Sequence, residues 1–239
     1  MKKQLLISMC VMAILAVSTT SCVVYHPHNV DIPLLHEKGE LQADASLSSS
    51  APLLAAPAVN ASIAYAPIEV LGLQGGISIT SPTNLYAQGA AGAYLPFGKT
   101  VFEFYVGYGY GLSGHEKWSN LDDHKFRMDG HFGTIFGQAN IGWVNLFDGL
   151  IDVGFGLKGG SLNGHWDRVQ INDDATENVV NTKDGNHLLV EPQFVFRIGW
   201  ERIKFSFNLS YAYLHNWKVN NDYFLYEPFS VALGLHFKL

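Results

Sequence analysis

The stretch that decides the fold is residues 101–114, VFEFYVGYGYGLSG. Its even positions read Phe102, Phe104, Val106, Tyr108, Tyr110 and Leu112. Its odd positions after Val101 read Glu103, Tyr105, Gly107, Gly109, Gly111 and Ser113. Successive side chains of a strand point to opposite faces, so this period of two predicts a strand with one large apolar face and one small or polar face. A sandwich core uses such a strand once or twice. A chain built throughout from them needs another surrounding for its apolar faces.

The alternation recurs on both sides of that stretch. Ten segments carry it, over roughly 38–50, 58–67, 70–80, 85–96, 100–113, 130–146, 150–163, 188–200, 203–215 and 227–239. Most reach the roughly 9–11 residues that a tilted strand needs to cross a bilayer. The clearest outward faces are Ile203, Phe205, Phe207, Leu209, Tyr211, Tyr213 and Phe229, Val231, Leu233, Leu235, Phe237, Leu239. Between them lie Lys204, Ser206, Asn208, Ser210 and Ser230, Ala232, Gly234, His236, Lys238. Two segments break the pattern. In the sixth, Phe132 and Phe136 fall on the face opposite Ile135, Ala139, Ile141 and Trp143, which predicts a bulge near Gly133. In the eighth, Pro192 has no N–H for the ladder and demands a bulge or a local defect.

The connections separate a sandwich from a barrel. Joins after even segments are tight: PIEV at 67–70, FGK at 97–99, LFDG at 146–149 and WERI at 200–203. Joins after odd segments are long from the fifth onward, over 114–129, 164–187 and 216–226. Tight turns at one end and long loops at the other are the pattern of an outer-membrane barrel. Rings fall near both ends, Phe97, Phe102, Trp143, Phe147, Trp200 and Phe237 by the turns, and Tyr110, Trp166, Tyr213 and Trp217 by the loops. Amphipathic rings favour the headgroup level.

Composition agrees. Only 15% of the 239 residues are charged, against roughly 25% in a soluble domain. The net charge of −6 gives no basic surface for nucleic acid. The N-terminus, MKKQLLISMCVMAILAVSTTSC, has two lysines, an apolar run, small residues and a cysteine. It reads as an export signal over 1–21 of lipoprotein type, leaving Cys22 as the lipidated first residue. Residues 22–37, with two prolines and no period, read as a lipid-anchored tether, and 38–239 as the barrel. An even strand number puts both termini, and the lipid, on the short-turn, periplasmic side.

At PLLHEKGELQADASLSSS and VNASIAYAPIEVLGLQGGISI the chain resembles the small outer-membrane β-barrel proteins of Bacteroidetes that carry lipoprotein-type signals. The resemblance covers the signal, the tether and the first three strands. It implies fold and location, and no activity.

Chemical motifs are few. GFGLKG at 154–159 fits G-x-G-x-x-G, but a dinucleotide site needs that motif between a strand and a helix, and here it lies within an alternating strand. The segments HPH at 26–28 and HEKWSNLDDH at 115–124 offer imidazoles and carboxylates without convergent ligand spacing, so no metal and no cofactor are expected. The acidic stretch 172–186 lacks the order of a calcium loop and reads as a solvated tip. Inner charges Asp152, Lys158, Glu191 and Arg197 are candidates for lumen ion pairs.

The resulting expectation is an all-β, up-and-down antiparallel transmembrane barrel of about ten strands in the cell outer membrane. Its role is structural or surface recognition through long loops, without catalysis. Its partners are outer-membrane lipid and an extracellular ligand met by Trp118, Trp166, Trp217 and Tyr223. Two rival classes are an outer-membrane enzyme, either a protease using Asp122, Asp123 and His124 or a lipid-modifying barrel, and a lipid-tethered lipocalin-like carrier with its apolar face inside.

Overall fold

A computed structural model describes residues 25, 27, 32–50, 55–81, 84–118, 125–172, 176–216 and 228–239. The strands are β1 (Leu41–Ser50), β2 (Ala55–Ile68), β3 (Leu71–Ser81), β4 (Asn84–Phe97), β5 (Thr100–Trp118), β6 (Lys125–Asn145), β7 (Ile151–Ile171), β8 (Glu177–Gly199), β9 (Ile203–Tyr211), β10 (Tyr213–Asn216) and β11 (Phe229–Lys238). From β1 to β9 each strand pairs antiparallel with its sequence neighbour, β10 pairs with β8, and β11 pairs with β9 and with β1 to close the ring. Both β9 and β10 pair with β8 in one register, so they are halves of a single stave. The result is a closed ten-strand antiparallel barrel.

The two irregular segments resolve differently from each other. No bulge forms near Gly133, because β6 keeps one register against β5 and β7 along its whole length. Phe132 and Phe136 simply point inward, each 2% exposed. Gly111 and Gly107 across the strand pair leave the space their rings fill, and a Cβ at either glycine would collide with them. Pro192 does produce a defect. It pairs with Leu157 of β7 without a shift, while the ladder on the other side breaks at Ala212, between β9 and β10.

Faces follow the alternation. On β5, Phe104, Val106, Tyr108, Tyr110 and Leu112 are exposed, and Val101, Glu103, Tyr105 and Ser113 are buried. On β9 and β11 the outward residues include Ile203, Phe205, Phe207, Tyr211, Leu233 and Leu235, and Lys204, Ser206, Asn208, Ser210, Ser230 and His236 face the lumen. This is the reverse of a lipocalin-like carrier, which hides its apolar face. From Phe102 to Leu112 the outer series climbs ten residues, about 33 Å along the strand and about 25 Å along the axis at a tilt near 40°. That is the height of a lipid-facing band.

At the long-loop end the strands run further than expected. Residues 164–171 and 177–187 continue β7 and β8, and 114–118 and 125–129 continue β5 and β6. Most of the expected loop 164–187 is therefore a hairpin. Above the band the outer face meets water in place of lipid, so it turns polar while the backbone ladder continues. The outer side there is polar: Ser161 Oγ donates to Asn186 Oδ1 at 3.0 Å, and Thr182 Oγ1 donates to Asp167 Oδ1 at 2.6 Å.

The largest departure is the tether. Its described residues up to Leu35 lie inside the barrel: Tyr25, Ile32, Leu34 and Leu35 are at most 4% exposed, and Pro27 and Pro33 are buried with them. A ten-strand lumen is wider than its own glycine-rich wall fills. The amino-terminal segment supplies the missing core.

Candidate functional site

The site is the lumen and the segment seated in it. The chain turns from that segment into β1 at Gly39, whose φ of +83° favours glycine. Glu40 organises the turn. Its Oε2 accepts from the backbone N–H groups of His36 (2.8 Å) and Glu37 (3.0 Å), and its Oε1 accepts from Gln42 Nε2 (2.7 Å) and lies 3.1 Å from Lys238 Nζ. Burial pushes the Glu40 carboxyl up, but these hydrogen bonds and the Lys238 charge outweigh it and hold it below the ordinary carboxylate range.

From this turn the segment is gripped stepwise. The Leu35 N–H donates to Glu103 Oε1 at 2.8 Å, and Asn140 Nδ2 holds the other carboxylate oxygen at 2.9 Å. Arg197 reaches two successive carbonyls, donating from Nη1 to Pro33 O (3.1 Å) and from Nη2 to Ile32 O (2.7 Å). Ile32 and Leu34 pack against Val101, Val144 and Val195. Three wall glycines make room: a Cβ on Gly142 would stand 2.6 Å from Leu34 Cδ1, and on Gly154 and Gly156 3.0 Å from Ile32 carbons. Tyr25 completes the path. Its hydroxyl donates to Glu191 Oε2 at 2.7 Å, and its ring meets Phe132 and Tyr86 edge-on at centroid distances of 5.7 and 6.4 Å. Leu162, Trp166, Leu189 and Ala212 close around it.

Charges on the inner wall are paired, Lys158 with Glu191 and His236 with Asp44 between adjacent strands and the others between strands further apart. Lys204 Nζ lies 2.7 Å from Asp152 Oδ1, His236 Nδ1 lies 3.0 Å from Asp44 Oδ1, and Arg197 Nη2 lies 3.8 Å from that same oxygen. Lys158 lies 4.0 Å from Glu191, reaches Gln88 Oε1 at 3.2 Å and sits over the Phe136 ring. The four charges expected to form lumen pairs all do so, but only Lys158 and Glu191 pair with each other. Such buried groups tolerate no loss of partner: removing one leaves the other charged and dry, at a cost of about 3–5 kcal/mol.

This arrangement holds a peptide segment of the chain itself, which turns through a left-handed Leu34 (φ +59°). A guanidinium takes backbone carbonyls, a carboxylate takes a backbone N–H, and glycine-lined hollows take aliphatic side chains. Two of the three glycines of GFGLKG belong to it, since Gly154 and Gly156 face Ile32, while Gly159 is on the other face and the motif lies within a strand.

Of the residues expected to meet a surface partner, Trp166 is buried. It is 7% exposed and turned into the lumen mouth, over Gly130 and Gly164. Trp118 ends β5, opposite Lys125, while Cys22, Trp217, Tyr223 and the residues Asp122, Asp123 and His124 lie outside the described residues. The sequence reading missed Arg197 and Glu103 as peptide ligands. Its available signal was an inner face too small to fill a ten-strand lumen.

Outside the wall, above the band, His165 Nδ1 lies 2.7 Å from Asp184 Oδ1 and its Nε2 lies 3.7 Å from Asp167 Oδ1. The hydrogen bond to Asp184, with the charges of both aspartates, raises the imidazole above its ordinary range. Because the folded value lies above the unfolded one, this contact's contribution is full below the unfolded pKa and fades as pH rises through the folded value. Asp184→Asn is expected to move the His165 titration down, read by NMR of the imidazole in detergent. An unchanged titration would show that the pair does not form.

The chain matches no protein-family model and no curated protein. Among solved structures it is similar to the N-terminal β-barrel domain of OprF from Pseudomonas aeruginosa, at 11% identity over 84% of this chain and 98% of that one, with a TM-score of 0.36.

Proposed function

We propose that this chain is an outer-membrane β-barrel lipoprotein with a structural or surface-recognition role, without catalysis, acylated at Cys22. One observation carries the membrane reading: a closed barrel turns an apolar band about 25 Å high outward and keeps its paired charges inside. In water that band would be an exposed apolar surface far beyond what a monomer tolerates. A lumen occupied by the protein's own chain argues against solute transport. Recognition is left to the long-loop end. There the extension of β5 to β8 forms a raised polar sheet bearing His165, Asp167, Thr182 and Asp184, with Trp118, Trp217 and Tyr223 as candidate apolar contacts. The short turns and the C-terminus are assigned to the periplasmic side.

Heat-modifiable migration tests the reading. Protein purified in detergent is expected to run as a compact species on a cold gel and to shift on boiling, as a closed barrel does. A single position at both temperatures would overturn it.

A further inference from the structure

We infer that the chain threads its own barrel, so that its amino-terminal end leaves on the long-loop side and any acyl chain on Cys22 enters the leaflet on that side. The second part rests on the proposed acylation of Cys22; the first does not.

Height along β5 gives the direction. Leu35 binds Glu103, near the short turns, whereas Tyr25 packs on Phe132 and Tyr86, both register partners of Gly111. Those two levels are eight residues apart on one strand, about 26 Å along it and roughly 20 Å along the axis. Tyr25 therefore sits level with the upper end of the lipid-facing series that begins at Phe102 and ends at Leu112. Its neighbour Trp166 is on β7, near the point where that stave rises out of the band.

Cys22 is three positions before Tyr25, and three residue steps reach at most about 11 Å. The level of Phe102 lies roughly 20 Å below Tyr25, so a chain held at Tyr25 does not return to the short-turn leaflet. The upper headgroup level is within reach. The seat of Tyr25 is specific, with a hydroxyl bonded to a buried carboxylate and a ring enclosed by three others, so it fixes the path.

Two epitope insertions in the full chain test this, one between Val24 and Tyr25 and one between Ala175 and Thr176, probed with antibody on intact and on permeabilised cells. Both tags answering alike is the expected result, and both on intact cells if the long loops face outward. Opposite sidedness would overturn the threading; joint detection only after permeabilisation would keep it and reverse the proposed orientation. Each variant is first checked for heat-modifiable migration. As a second measurement, cysteines at Tyr25 and Phe132 are expected to be joined by a short bis-maleimide in isolated membranes, and no cross-link in a heat-modifiable protein would also overturn the inference. Labelling with a clickable fatty acid isolates the other reading. Loss of label in Cys22→Ser supports the anchor, and undiminished label removes the anchor alone.

Discussion

A chain from which residues 23–36 are deleted is expected to conduct ions across a planar bilayer, where the intact protein does not. The deletion takes Tyr25, Ile32, Leu34 and Leu35 out of the lumen, side chains that are buried against the wall and fill hollows left by Gly142, Gly154 and Gly156. It also removes partners from Glu103, Glu191 and Arg197, which hold the segment through Leu35, Tyr25, Ile32 and Pro33. Polar groups that lose buried partners draw water in their place, so water enters with the vacancy. The backbone ladder of the ten staves is untouched, but burial worth about 1.5–3 kcal/mol per large apolar side chain is lost. The barrel is expected to persist with a lower thermal midpoint. Gly142→Leu reaches the same end with the whole chain present, because its side chain claims the space of Leu34. Absence of conductance in variants that remain heat-modifiable would mean that the wall itself closes the lumen.

The barrel was legible because each stave inside the band has two unlike surroundings, and alternation records that difference residue by residue. Phe104, Val106 and Tyr108 against Glu103, Tyr105 and Gly107 is the record on β5. Legibility ended where the outer surroundings changed from apolar to aqueous. Asn163, His165 and Asp167 are polar on the outer side while Trp166 is buried on the other, so the apolar face that marks the strand below is inverted although the strand continues. Extended hairpins were thus taken for loops, and Trp166 for a free surface ring.

The lumen segment left a different trace. Tyr25, Ile32, Leu34 and Leu35 have no period, because a segment enclosed on all sides has no polar face to alternate with. What marks its seat is on the wall, as glycines at 142, 154 and 156 whose missing side chains let Leu34 and Ile32 approach. Phe132 and Phe136 carried the same lesson. Large rings on an otherwise small inner face indicated opposing glycines, not a shift of register.

The membrane reading makes its sharpest demand at Leu209. This residue lies near the middle of the outward series from Ile203 to Tyr213, and Phe205 lies nearer the short turn at 200–202. An arginine on the lipid face of a barrel costs about 2–4 kcal/mol at the midplane and about 0–1 kcal/mol near the interface, where its side chain reaches the headgroups. Leu209→Arg is therefore expected to reduce the inserted fraction by roughly thirtyfold or more, since about 1.4 kcal/mol is a factor of ten. Phe205→Arg is expected to fall between it and the unaltered protein. Insertion into preformed vesicles, followed by cold-gel migration over a urea series, gives the free energies directly. The order is what discriminates, because only a medium whose polarity changes with depth grades identical substitutions by position. In a soluble barrel both positions face water, and an arginine at either would raise solubility with little effect on stability. Equal tolerance of Phe205→Arg and Leu209→Arg would remove lipid from the outer face and with it the outer-membrane location.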